Sequence, residues 1–293
     1  MEARHEIARA VRLLFDPGQV VELRIPKTPK KTVSGYFDDH EKLVKAAVAA
    51  DRNAEEKKLP GIYVTLNPCD PALLARAANH LRPYAETTTA DAEILGRRWF
   101  PIDLDPVRPA DISSTDAEHE AALDRARRVR DWLRERGWPE PVFADSGNGA
   151  HLLYRIDLPN DLEALALVNR CLSALALVWD DEVVAIDQKV ANAARIWKLP
   201  GTMARKGDNT TERPHRRSFI LDAPAVLEVV SRDLLETLAA TYPEEEKLVP
   251  SGRKGTFDLE RWIEEHGLPV VSRRPWQGGE KWTSTPARLT RIT

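Results

Sequence analysis

Phe100-Pro101-Ile102-Asp103-Leu104-Asp105 alternates apolar and acidic side chains and runs into Pro106. Alternation of this kind is the period of a β-strand, whose successive side chains point to opposite faces. It predicts Ile102 and Leu104 in a core, with Asp103 and Asp105 together on the other face about 7 Å apart along the strand. Two carboxylates that close repel each other unless a cation lies between them, and hard cations such as Mg2+ or Mn2+ take oxygen ligands of this type. Pro106 ends the strand and leaves the acids at its C-terminal edge. A strand-end turn with solvated acids is the plainer alternative, since D-x-D is a common pattern.

Outward from this strand, short strand-like runs alternate with helical patterns, which predicts an α/β or α+β domain. Further strands are expected at 20–25, 33–37, 61–66, 142–144, 150–156, 183–187, 195–199 and 218–221, and helices at 2–15, 39–52, 71–81, 116–136, 162–178 and 233–240. Ser114-Thr115-Asp116-Ala117-Glu118 supplies capping residues before the long helix, and Gly137 supplies its stop. Residues 243–256 mix charge, proline and glycine and read as a linker. The expected organisation is therefore a domain over 1–242, the linker, and a short appendage over 257–293 with one helix at 257–267.

Ala144-Asp145-Ser146-Gly147-Asn148-Gly149-Ala150-His151 carries a strand through a small-residue turn into another strand. Gly147 and Gly149 would let backbone amides approach an anion, with Ser146, Asn148 and His151 as side-chain donors. The segment lacks the GK[ST] ending of a Walker A loop and the spacing of a dinucleotide fingerprint. A hairpin with a packed histidine is the alternative. Farther on, Asp187 is followed by Asn192, Arg195, Trp197 and Lys198. Asp187 could complete a triad with the first two acids, while Arg195 and Lys198 suit phosphate, one as a bidentate fork and one as a point charge. Singly these features are ordinary; together they describe a site for a metal-bound triphosphate.

Composition bounds the rest. Hydrophobic residues make up 42% and charged residues 30% of the 293-residue chain, ordinary values for a globular protein. No apolar run is read as approaching the ~18 residues of a membrane helix, and the N-terminus has neither secretory nor transit character. The expectation is a cytoplasmic protein without a membrane partner. Cys69 and Cys171 form no CxxC pair, so neither a disulfide framework nor structural zinc is expected. The net charge of -3 argues for no general affinity for polyanions. Between Arg195 and Arg217, however, seven Lys/Arg (195, 198, 205, 206, 213, 216, 217) stand against Asp208 and Glu212. Such a strip is either a confined phosphate-binding surface or a solvated loop.

In this order the three blocks resemble the archaeo-eukaryotic primase superfamily, in particular its bacterial, plasmid and CRISPR-associated primase-polymerase (PrimPol) branch. The hhDhD pattern corresponds to residues 100–105, the small-x-His pattern to Gly149-Ala150-His151, and the hydrophobic-plus-acid pattern to Ile186-Asp187. SGYFDD at 34–39, SGNGAHLLYRIDLP at 146–159 and NAARIWKLPGTMARKGDNTTERPHRRS at 192–218 are also similar, so the likeness spans roughly 10–240. The resemblance implies an α+β catalytic core: an N-terminal α/β part packed beside an RRM-like sheet, with the active site in the cleft between them. It implies that Asp103, Asp105 and Asp187 ligate two Mg2+ or Mn2+ ions. Ser146, Gly147, Asn148, Gly149, His151, Arg195 and Lys198 would bind the incoming nucleotide, with Tyr36 as a sugar or base contact. Arg205, Lys206, Arg213, Arg216 and Arg217 would meet template or primer phosphates. The stretch Gln188-Lys189-Val190-Ala191 departs from a hydroxyl-rich pattern common in relatives, and the appendage, which resembles the start of a module found downstream in some of them, stops without that module's Cys/His residues.

The function so implied is a DNA primase-polymerase that copies single-stranded DNA from dNTPs or NTPs, making and extending primers. A repair or end-joining polymerase that only extends primers is a rival, as is a non-catalytic nucleic-acid-binding replication protein. A rolling-circle initiator needs a His-hydrophobic-His pair, and His151 is followed by Leu152 and Leu153. Replication, repair and CRISPR adaptation proteins all remain open as partners.

Overall fold

A computed structural model describes residues 2–28, 31–53, 59, 61–242, 261, 263, 270–276 and 279–284. The chain divides into two compact units, Met1–Glu244 and Glu245–Thr293. The first begins with helix α1 (Glu2–Leu14), which buries Ile7, Ala10, Val11 and Leu14, the i, i+3, i+4, i+7 spacing of one helical face. Strands β1 (Val21–Thr28) and β2 (Lys31–Phe37) form an antiparallel hairpin. Helix α2 (His40–Arg52) starts where Asp39 accepts the Lys42 amide at 3.1 Å. Strand β3 (Tyr63–Thr65) and the later β8 (Ile196–Lys198) complete a four-stranded antiparallel sheet in the order β2-β1-β3-β8.

The second sheet starts with the strand on which the acids were read. Strand β4 (Arg97–Pro106) keeps Ile102 and Leu104 fully buried and leaves Asp103 and Asp105 partly exposed. Helix α3 (Asp116–Arg134) follows, and its cap is the expected box: Glu118 N donates to Thr115 Oγ1 at 3.2 Å and Thr115 N to Glu118 Oε2 at 2.9 Å. Gly137, at φ +81°, turns the chain out of that helix. Next come β5 (Val142–Asp145), β6 (Ala150–Leu158), α4 (Leu162–Trp179) and β7 (Val184–Ile186). With β11 (Phe219–Asp222) they make a five-stranded antiparallel sheet in the order β11-β5-β6-β4-β7. Helices α3 and α4 pack against this sheet, and α5 (Arg232–Ala239) packs on α4. Side chains from both sheets belong to one continuous buried cluster.

Several expectations change. The helix expected at 71–81 is a 3-10 turn over Pro71–Arg76, opened by Asp70 accepting the Ala72 amide at 2.8 Å. It cannot continue, because Ala77 is extended and the chain beyond it bonds back to β2: Tyr36 N to Ala77 O at 3.0 Å, Asn79 N to Tyr36 O at 2.7 Å. Gly35 admits this approach, since a Cβ there would lie 2.0 Å from the His80 carbonyl oxygen. The basic strip contains a two-stranded ribbon, β9 (Met203–Ala204) with β10 (Arg216–Arg217), too short to carry a period of its own. Contrary to the sequence reading, α4 is long and apolar enough to cross a membrane by length and composition. It serves here as a core helix, burying Leu167, Val168, Cys171, Leu172 and Leu175. In the second unit the appendage forms an antiparallel hairpin of β12 (Val270–Trp276) and β13 (Gly279–Ser284), which the sequence did not suggest. The linker, and most of the helix expected at 257–267, lie outside the described residues.

Candidate active site

A cleft of about 1210 Å³ is lined by side chains from both sheets and the ribbon: Tyr63, Asp103, Asp105, Ser146, Asn148, His151, Asp187, Arg195, Trp197, Lys198, Arg205 and Lys206 among them. Residues more than 100 positions apart in sequence converge because β4 is flanked by β6 and β7 in one sheet, while β8 belongs to the other.

Asp103 faces His151 in the β4–β6 register, with His151 Nε2 3.5 Å from its Oδ1. Burial works against the charged form of Asp103, yet the histidine, with Lys206 and Arg195 beyond it, holds its carboxyl below the usual range. Asp105 goes the other way. Burial and the neighbouring Asp103 charge push its carboxyl up, and Lys206 at 3.8 Å and Arg108 at 3.5 Å offset this only in part. The two carboxylates stand close enough for the charge of one to disfavour the charge of the other, and they present the oxygen donors that a hard cation takes. Asp187, which follows β7, lines the same cleft but is engaged: it accepts the Lys189 amide at 2.9 Å and an Arg195 guanidinium hydrogen at 3.1 Å. Among the described residues no three His, Cys, Asp or Glu side chains stand grouped to hold a metal. Asp103 and Asp105 fit a cation as a pair, while Asp187 is already bonded to Arg195.

The 145–149 turn is closed from within, which corrects its reading as an amide cradle. Gly147 N donates to Asp145 Oδ1 at 2.6 Å, and the Asn148 and Gly149 amides donate to Ser146 Oγ at 3.3 and 2.9 Å. These amides are spent, so the glycines matter for close packing. A Cβ on Gly149 would lie 2.3 Å from the Leu104 carbonyl oxygen, and one on Gly147, at φ +89°, would meet Ala204 at 2.7 Å. Ser146 and Asn148 still line the cleft as side chains, with Asn148 Oδ1 accepting the Ser114 amide at 3.0 Å.

The other nucleotide candidates divide. His151 and Arg195 face the cleft. Lys198 also lines it, but is 7% exposed and donates to Met203 O at 2.6 Å; burial pushes its ammonium down to about 7. Tyr36 is not brought to the cleft. It is 1% exposed, with its hydroxyl 3.3 Å from Arg76 Nη1 and 3.4 Å from Thr89 Oγ1, and it lines a separate pocket.

Most of the basic strip is neutralised by the chain itself. Arg213 pairs with Glu118, Arg216 with Asp116 at 2.6 Å, and Arg217 with Asp51 at 2.6 Å; Arg205 stands 3.5 Å from Asp51. Two members of the strip reach acids of the cleft, Arg195 at Asp187 and Lys206 at Asp105. Sequence reasoning missed Tyr63, Arg108 and the role of Trp197, whose ring centroid lies 4.2 Å from that of His151. It also missed Asp145, which accepts from His119 Nε2 at 2.9 Å and so anchors the turn to α3. Tyr63 lay inside a predicted strand, but only the pairing of that strand with the distant β8 brings it beside Lys198 and into the cleft.

No family model matches the sequence, and no curated protein matches it. Among solved structures the chain is similar to a crystal structure of primase RepB′, at a TM-score of 0.46 and 10% identity over 90% of this chain and 66% of that one. It thus spans just under two thirds of that protein's length. It is also similar to the catalytic domain of primase RepB′ in complex with initiator DNA, at a TM-score of 0.44 and 11% identity, covering 82% of this chain and 95% of that one. Likeness at this level leaves the function to be argued from the cleft.

Proposed function

We propose that the chain is a DNA primase-polymerase, a nucleotidyltransferase that copies single-stranded DNA from dNTPs or NTPs, making and extending primers, in a cytoplasmic setting. The observation that carries this reading is the paired Asp103 and Asp105 facing His151, Arg195 and Lys206 across one cleft. Carboxylates gathered among cations suit a substrate that brings both metal ions and phosphates. The order β7-β4-β6-β5, built by a β-α-β-β-α-β chain, supports reading that sheet as the RRM-like half, with α1, α2 and the first sheet as the N-terminal part.

Asp103 and Asp105, with Asp187 as the third candidate, would hold two Mg2+ or Mn2+ ions. Such ions, when bound, favour deprotonation of an attacking 3′-hydroxyl and offset charge on departing pyrophosphate. The remaining roles belong to side chains. His151, its ring fixed by Trp197, would donate to a phosphate oxygen near Asp103. Arg195 and Lys206 would exchange their carboxylate partners for phosphate oxygens, and Ser146 and Asn148 would add neutral donors. A pure nucleic-acid binder gains nothing from partly exposed acids facing a polyanion, which disfavours the non-catalytic rival.

Incubation with single-stranded template, labelled nucleotides and Mg2+ or Mn2+, with and without primer, tests the reading. Products are expected in both lanes, and Asp103→Ala with Asp105→Ala should abolish them in a folded protein. Products only with primer would reduce the activity to extension; none in either lane would remove polymerase function.

A further inference from the structure

Four side chains stand in one row across the first sheet. Lys198 on β8 pairs with Tyr63 on β3, Tyr63 with Arg24 on β1, and Arg24 with Ser34 on β2. Partners across antiparallel strands share a face. Tyr63 and Lys198, at one end of the row, line the acid cleft, whereas Ser34, at the other end, lines a second pocket of about 460 Å³. Three strand spacings put the two ends roughly 14 Å apart.

The second pocket is bordered by Tyr36, Arg76, Arg82, Tyr84 and Glu86. The Arg76 charge is spent on Glu93, to which it donates at 3.1 and 2.5 Å. Arg82 is exposed; the one polar contact of its guanidinium is a long 3.5 Å approach to Arg76 O, and it makes no ion pair among the described residues. Tyr84 is 56% exposed beside it. With Glu86 balancing Arg82, the pocket is close to neutral, ill suited to a triphosphate. A planar neutral group stacked on an aromatic ring, with one phosphate on a neighbouring guanidinium, matches it better. Sequence-tolerant binding of single strands uses those two elements.

We propose that the Tyr36–Arg82–Tyr84 pocket is a subsite for an unpaired base of the strand being copied, a few nucleotides from the acids. Tyr84 stacks on the base and Arg82 takes the adjoining phosphate; the row between pocket and cleft measures their separation and is not itself a binding surface, because Ser34 is buried and Arg24 is spent on Glu22. The proposal rests on the polymerase reading above. Its distance from the acids is what assigns the pocket to the template, since an incoming nucleotide must sit at Asp103 and Asp105.

The test measures fluorescence anisotropy of a labelled oligothymidylate with the full chain, without nucleotide or metal. Tyr84→Ala combined with Arg82→Ala should weaken binding about tenfold, with an unchanged melting temperature, because both side chains are exposed. Tyr84→Trp should retain wild-type affinity. Asp103→Ala with Asp105→Ala should bind the oligonucleotide normally while failing to synthesise. Equal affinity of the wild type and the Tyr84/Arg82 variant overturns the subsite and leaves the polymerase reading standing. Pocket-dependent binding with no synthesis by the wild type has the opposite meaning. Displacement of the oligonucleotide from the Asp103/Asp105 variant by free dATP would assign the pocket to a mononucleotide and also overturn the proposal.

Discussion

Lys198 is a cation held where water barely reaches, with Met203 O as its hydrogen-bond acceptor and its ammonium pushed down to about 7 by burial. In the unfolded chain the same group keeps its proton up to its ordinary value near 10.5. Between these values the unfolded state binds more protons, so folding stability rises with pH across that window. We expect urea denaturation of the wild type to show a gain on the order of a few kcal/mol from pH 7 to pH 10.5. Lys198→Met should flatten that slope and be at least as stable as the wild type at pH 7. An identical pH slope in the two proteins would refute the buried-ammonium account.

The basic ribbon is the element whose placement most depends on distant residues. Asp51, near the end of α2, is 6% exposed; it accepts from Met203 N at 2.9 Å and Arg217 Nη1 at 2.6 Å, with Arg205 at 3.5 Å. Burial tends to raise its carboxyl, but these bonds and charges win and hold it below the usual 3.8. A depressed folded value contributes stability above the unfolded value, which is lost as pH falls below it. Asp51→Asn should therefore cost about 2 kcal/mol at pH 7, given the partial exposure of Arg217, and the deficit should shrink below pH 3.8. Denaturation at pH 7 and pH 3 measures both. The contrast with β4 explains what the sequence disclosed. The period of 102–105, the stop at Pro106 and the Thr115/Glu118 box are local signals, so the acid-bearing strand and the start of α3 were legible. The ribbon was not, because its strands are two residues each and its anchor lies some 150 residues upstream. The glycine turn misled for a related reason: its composition suggests free amides, whereas Asp145 and Ser146 side chains consume them.

At the scale of the whole molecule, the described lining of the acid cleft belongs to Met1–Glu244, and the continuous buried cluster spans both sheets of that unit, from Ile7 to Ala239. Hydrophobic burial is the main source of folding free energy, and among the described residues the buried cluster is built from the first unit. Among the described residues, the carboxylates of the cleft and the cations facing them come from the first unit. A chain ending at Glu244 should accordingly melt in a single transition within about 3 °C of the full protein. If the polymerase reading holds, it should also extend a primer at a comparable rate with Mn2+. Calorimetry and a primer-extension time course on the two proteins check this together. A truncated chain that melts well below the full one would mean that the buried cluster does not account for the stability of the first unit. A truncated chain that melts normally yet no longer extends would instead place a substrate-binding role in the β12–β13 hairpin, whose Arg273, Arg274, Trp276 and Trp282 are residue types that grip single strands through charge and stacking.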